Sequence, residues 1–188
     1  VTIDDSPEKI IMVFKTLGQL SGLAYKKEYM DLRFHEDIFT CHIYPFFSIF
    51  KKHPIVFLKD YTVAVRISTS IAKTVSSTYN KSPLQSWVDL FNNVFYESEF
   101  SKFREHFIKN YVSVNYVGLL QIKNYAKYKY LLREIFLLIK YRWYNIIDVR
   151  FWFFSLGCIL TPSFLLIPLI DHYKSNVLSK KITNIKFK

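Results

Sequence analysis

Between Phe151 and Ile170 the chain runs FWFFSLGCILTPSFLLIPLI without a single charge, and about 20 apolar residues is the helix length that the hydrocarbon core of a bilayer demands. Arg142 and Arg150 precede the run and five lysines follow Ile170. A simple span leaves one flank less basic than the other. Two basic flanks, with Pro162 and Pro168 inside the run, favour a kinked segment that dips into one leaflet or lies along the interface. Both flanks then stay on the cytoplasmic side. A true span and a buried core helix are the competing readings.

The rest of the composition agrees with a lipid-facing chain. A net charge of +11 over 188 residues asks for an acidic partner, and phosphates of lipid, nucleotide or nucleic acid are the usual ones. Eighteen Phe and fourteen Tyr against four Gly tilt that choice towards helices lying where water meets lipid, and no nucleic-acid partner is expected. Cys41 and Cys158 stand far apart in apolar surroundings, which argues against a disulfide framework and for a reducing compartment. Val1 opens the chain with no basic-then-apolar leader behind it, so no signal peptide is expected, and the chain reads as a piece of something longer.

Ser6-Pro7 and Ser82-Pro83 each place a capping residue before a proline that is tolerated only in the first helical turn. The first pair opens a short helix through Ile10 and Phe14, with Asp4 and Asp5 beside its positive end; a metal-binding role for that Asp pair is the lesser reading. The second pair opens a helical stretch that continues with breaks to Arg142. From Glu36 to Lys51 apolar positions recur at three- and four-residue steps, a helix with a broad buried face that Pro45 should kink. Ile55–Leu58 and Val63–Ile67 are β-branched-rich and read as two strands; residues 68 to 82 read as a loop. Over 101–150 ten Lys and Arg stand against three acids. Leu131, Leu132, Ile135 and Phe136 interleave there with Lys127, Lys129 and Arg133 in a basic amphipathic pattern.

From Gly18 to Ser70, four features occur in series: "LSGLAYKKE", "HED", "PIVFLKD" and "VAVRISTS". This series resembles the C-terminal half of the catalytic domain of family-2 glycosyltransferases, inverting enzymes with a nucleotide-binding α/β (GT-A-like) fold. The resemblance implies an α/β fold class for the first part of the chain, followed by a mainly helical, membrane-associating region. On that reading residues 1–80 are the acceptor-side part of the catalytic domain, 81–145 a basic amphipathic helical region, and 146–188 the hydrophobic membrane-associating segment with its basic tail.

What the resemblance implies for chemistry centres on Glu36-Asp37. In inverting transfer an acceptor hydroxyl attacks the anomeric carbon while a nucleotide diphosphate leaves, and a carboxylate takes the hydroxyl proton as its acidity rises. Asp37 is the expected base, with Glu36 orienting it or the acceptor. Ser21, Gly22, His35 and Arg66 are the expected substrate contacts, Arg66 through the fit of a guanidinium fork to a diphosphate. Acids that merely cap a helix are the plain alternative for the pair, as an exposed strand end is for Arg66. His35, Cys41 and His42 match no common zinc spacing. The family's Asp-x-Asp motif should precede "LSGL", and only 17 residues do. A divalent cation (Mg or Mn) is therefore expected of a full-length enzyme, but no residue of this chain is assigned to it. The implied partners are a nucleotide sugar, a lipid-linked or glycan acceptor and an anionic membrane surface. The implied function is sugar transfer in cell-surface polysaccharide or lipopolysaccharide synthesis. A non-catalytic membrane-associated scaffold is the alternative.

Overall fold

A computed structural model describes residues 1–17, 23–56 and 76–173. Among them the chain is all α, with eight α-helices joined by short 3-10 turns and no β-strand. It divides into two compact units, Val1–Val114 and Asn115–Lys188.

The first unit contains α1 (Pro7–Phe14), α2 (Ile43–Phe50), α3 (Pro83–Val94) and α4 (Ser101–Asn110). Phenylalanine at helical spacing makes its core. Phe14 of α1 meets Phe47 of α2 at 4.8 Å between ring centroids and Phe107 of α4 at 5.2 Å, and Phe47 meets Phe91 of α3 at 5.1 Å. These separations suit tilted and edge-on ring pairs. All four rings are within 1% of complete burial. Lys51, just past α2, donates to the carbonyl of Val94 at 2.8 Å and to Glu97 at 2.6 Å, tying α2 to the C-terminal carbonyls of α3. Tyr111 donates across to the Phe14 carbonyl at 2.8 Å, and burial pushes its phenol well up.

The expected α/β fold class is overturned by this helical architecture. Of the two expected strands, Ile55 and Val56 are described and belong to no strand; Ile55 instead exchanges two hydrogen bonds with Val1. The other strand residues, and Ser21, Gly22 and Arg66, lie outside the described residues. The physical reason for the correction is where the apolar burial goes. Among the described residues the three-and-four spacing of the aromatics builds a core of helix on helix, with no sheet for the helices to cover.

The second unit contains α5 (Gly118–Tyr125), α6 (Tyr128–Tyr141), α7 (Val149–Leu160) and α8 (Ser163–Tyr173). The uncharged run 151–170 is thus divided between two helices. Pro162 has no N–H to continue the α7 ladder, and its carbonyl accepts from Leu165 and Leu166 to start α8. At about 1.5 Å per residue, helices of 12 and 11 residues reach roughly 18 Å and 16 Å, about half of a bilayer core. Among the described residues no helix is long and apolar enough to cross a membrane.

Asp148 caps α7, accepting from the N–H of Arg150 at 2.9 Å. The connection before it is held by a buried polar knot. Tyr116 Oη lies 2.7 Å from Asn145 Oδ1 and 3.0 Å from Asp148 Oδ2, Arg142 donates to Tyr116 at 3.1 Å and to Asn145, and Asn145 donates back to the Leu138 carbonyl at 2.9 Å. Burial and the Asp148 carboxylate push the Tyr116 phenol up to about 12.

Candidate carboxylate site at the head of α2

Residues 35 to 41 form a closed loop ahead of α2. The N–H of His35 donates to the Cys41 carbonyl at 3.1 Å, and the N–H of Cys41 donates to the Asp37 carbonyl at 2.9 Å. His35 stacks on Tyr44 of α2 with centroids 4.1 Å apart and planes 12° from parallel. Its Nδ1 accepts from the N–H of Asp37 at 3.1 Å, so in this geometry Nδ1 carries no proton and Nε2 does.

Asp37 turns inward and is 8% exposed. Its Oδ1 accepts from the backbone N–H groups of Phe39 (2.9 Å) and Thr40 (3.0 Å) and from the Thr40 hydroxyl (3.0 Å). Its Oδ2 accepts from Ser86 of α3 at 2.7 Å. Burial acts to raise this carboxyl, but the hydrogen bonds from Ser86, Phe39 and Thr40 together outweigh it and hold the group below its ordinary value. The carboxylate therefore ties the loop to α3.

Glu36 is exposed, and among the described residues no hydrogen bond or ion pair engages it. The loop thus presents one neighbouring pair in two states: Asp37 saturated with donors, Glu36 open to an incoming group. A general base needs a free lone pair and a proton affinity suited to its task, and of the two only Glu36 has an unoccupied carboxylate.

His42 does not converge with His35 and Cys41 on a shared point. Its Nε2 lies 2.9 Å from the Leu17 carbonyl and its Nδ1 is 3.7 Å from the Cys41 sulfur, while Tyr25 donates to its backbone carbonyl at 2.7 Å. Asp5 serves the start of the chain, accepting from the Thr2 N–H at 2.7 Å and pairing with Lys9 at 2.6 Å. Among the described residues no three His, Cys, Asp or Glu side chains gather as metal ligands. The described residues accordingly offer no ligand set for the divalent cation that the resemblance implies for a full-length enzyme, and no step here runs through one.

A surface depression is lined by Lys26, Lys27 and Glu28; neither Glu36 nor Asp37 lines it. Ser86, which holds Asp37 in place, carries no signal in the sequence, since 49 residues separate the two. The chain matches no protein-family model, no curated protein and no solved structure.

Proposed function

We propose that the chain supplies the acceptor-side part of an inverting, family-2-like glycosyl transfer from a nucleotide sugar to a lipid-linked or glycan acceptor. The observation that carries the reading is the Glu36-Asp37 pair at the head of α2, one carboxylate anchored and its neighbour exposed, within the ordered series from "LSGLAYKKE" to "VAVRISTS". The exposure of Glu36 supports giving it the proton-accepting role and giving Asp37 the positioning role, the reverse of the sequence expectation. In the reaction the acceptor oxygen bonds to the anomeric carbon as the bond to the diphosphate breaks, and the hydroxyl proton passes to the Glu36 carboxylate. The substrate contacts expected at Ser21, Gly22, His35 and Arg66 belong to the same proposal.

A second reading, a non-catalytic membrane-associated scaffold, is favoured by one specific observation: every hydrogen bond the Asp37 carboxylate accepts serves the fold, three closing the loop on itself and one, from Ser86, joining it to α3. The two readings part in a transfer assay. The full-length protein in membranes is supplied with UDP- and GDP-linked sugars and polyprenyl-phosphate-linked acceptors, and nucleotide release is followed. Glu36→Gln is expected to lower kcat about 100-fold or more with an unchanged melting temperature. Equal turnover in Glu36→Gln and the parent, or no turnover in the parent, would leave the scaffold reading standing.

A further inference from the structure

Helix α7 is apolar on both its buried and its exposed face. Its buried face presents Phe151, Ser155 and Cys158, a stripe that includes a hydroxyl with no hydrogen-bond partner among the described residues and a thiol that burial pushes up to about 11. Its exposed face presents Val149, Trp152, Phe153, Leu156 and Leu160, at the three- and four-residue steps of a single helical stripe. Val149 is 81% exposed, Phe153 74% and Leu160 75%. The apolar surface continues past the Pro162 break into Phe164 (73%) and Leu165. A helix that packs only for its own fold puts the apolar stripe inward; a contiguous outward stripe of this kind marks a surface made for another apolar phase.

We infer that the exposed face of α7 and the start of α8 is a membrane-docking surface, and that its occupant is the outer few ångströms of an anionic phospholipid leaflet. Three observations select that occupant. Neither helix is long enough to span a bilayer core, so the face lies along the interface, its rings and Leu side chains sunk about 5–10 Å below the headgroups. The indole N–H of Trp152 is fixed on the Ile146 carbonyl at 2.7 Å, so this ring enters the interface already satisfied in its one polar group. Lys127, Lys129, Lys140 and Arg150 are exposed in the same unit, Arg150 paired with Asp148 at 3.2 Å. Residues 115–188 hold twelve Lys and Arg against three acids. That imbalance complements phosphatidylglycerol-type headgroups and opposes a second copy of the chain, which would bring like charge against like charge. The inference does not rest on sugar transfer, because a scaffold would dock by the same face.

The test is binding of the full chain to vesicles of phosphatidylcholine alone and of phosphatidylcholine mixed with phosphatidylglycerol, read by co-sedimentation and by Trp emission. Binding to the mixed vesicles is expected to be at least about tenfold tighter, with a blue-shifted emission that lipids brominated in the acyl chain quench. Trp152→Phe should remove most of that quenching. The double variant Phe153→Ser, Leu156→Ser should weaken binding at least about tenfold while circular dichroism and melting stay as in the parent, since both side chains are exposed. Undiminished binding by the double variant, or equal binding to the two vesicle types, overturns the inference. So does light scattering that shows a dimer dispersed by the double variant, which would give the face to a second copy. Glu36→Gln should bind vesicles as the parent does, so failure of the transfer reading and failure of this one are separable.

Discussion

The Asp37 carboxylate accepts four hydrogen bonds from donors that are themselves buried or half-buried, and that makes its removal costlier than the loss of one contact. Asp37→Ala leaves the Ser86 and Thr40 hydroxyls and two backbone N–H groups seeking water in a place that admits little. The expected cost is about 3 kcal/mol, a fall in melting temperature of roughly 10 °C. The pH dependence has a definite sign. The folded carboxyl lies below its ordinary 3.8, so its stabilisation is complete above that value and is lost as pH falls through the lower folded value. The stability gap between the parent and Asp37→Asn, measured by denaturant titration, should therefore be constant near neutrality and shrink below about pH 4. A gap that persists unchanged to strongly acidic pH would mean that the charge contributes nothing. Part of this was legible beforehand. An Asp followed two and three residues later by N–H groups it can accept from is a local pattern. Which of two adjacent acids turns inward is not local, because the donor that decides it, Ser86, arrives from another helix.

At the scale of elements, the two Ser-Pro signals had different fates. Ser82 accepts from the Gln85 N–H at 3.0 Å and Pro83 takes the first helical position. Ser6 also precedes a proline in the first turn yet makes no side-chain cap. The expected outcome is a cost of about 1 kcal/mol for Ser82→Ala and a few tenths or less for Ser6→Ala, compared by thermal melts of the two variants. Equal losses would mean that the cap geometry is not what stabilises α3. Helix α3 could be read from spacing because one of its faces is apolar and the other is not, whereas the helix expected over Glu36–Lys51 begins only at Ile43, where Pro45 falls in the first turn and no kink is needed. The run 151–170 could not be resolved the same way: it is apolar all round, so periodicity says nothing about which face is buried. Only the packed neighbours of α7 show that Ser155 and Cys158 go inward while Phe153 and Leu160 go out.

For the whole molecule, the aromatic content divides by location. Phe14, Phe47, Phe91 and Phe107 fill the first unit's core, so the many rings that composition alone assigns to an interface are in part ordinary core, while Trp152, Phe153 and Phe164 of the second unit stand on an exposed face. The family resemblance spans Gly18–Ser70, and the described residues test its fold through 23–56 alone, where they form a loop and a helix. Attachment to a membrane would then have two components of comparable size. Five α7 side chains, each gaining about 1 kcal/mol or more on partial burial, give at least about 5 kcal/mol. Four exposed basic residues near an anionic surface give about 1 kcal/mol each. Concentrated salt shortens the screening length to about 3 Å and removes most of the second component but none of the first. What remains, about 5 kcal/mol, corresponds to a dissociation constant of roughly 0.2 mM, still tight enough to hold the protein where lipid is in the millimolar range. A wash of isolated membranes with about 1 M NaCl should therefore leave more than half of the full-length protein in the pellet, and mild non-ionic detergent should release it. Complete release by salt alone would show that charge holds the protein and that the outward stripe of α7 never enters the lipid.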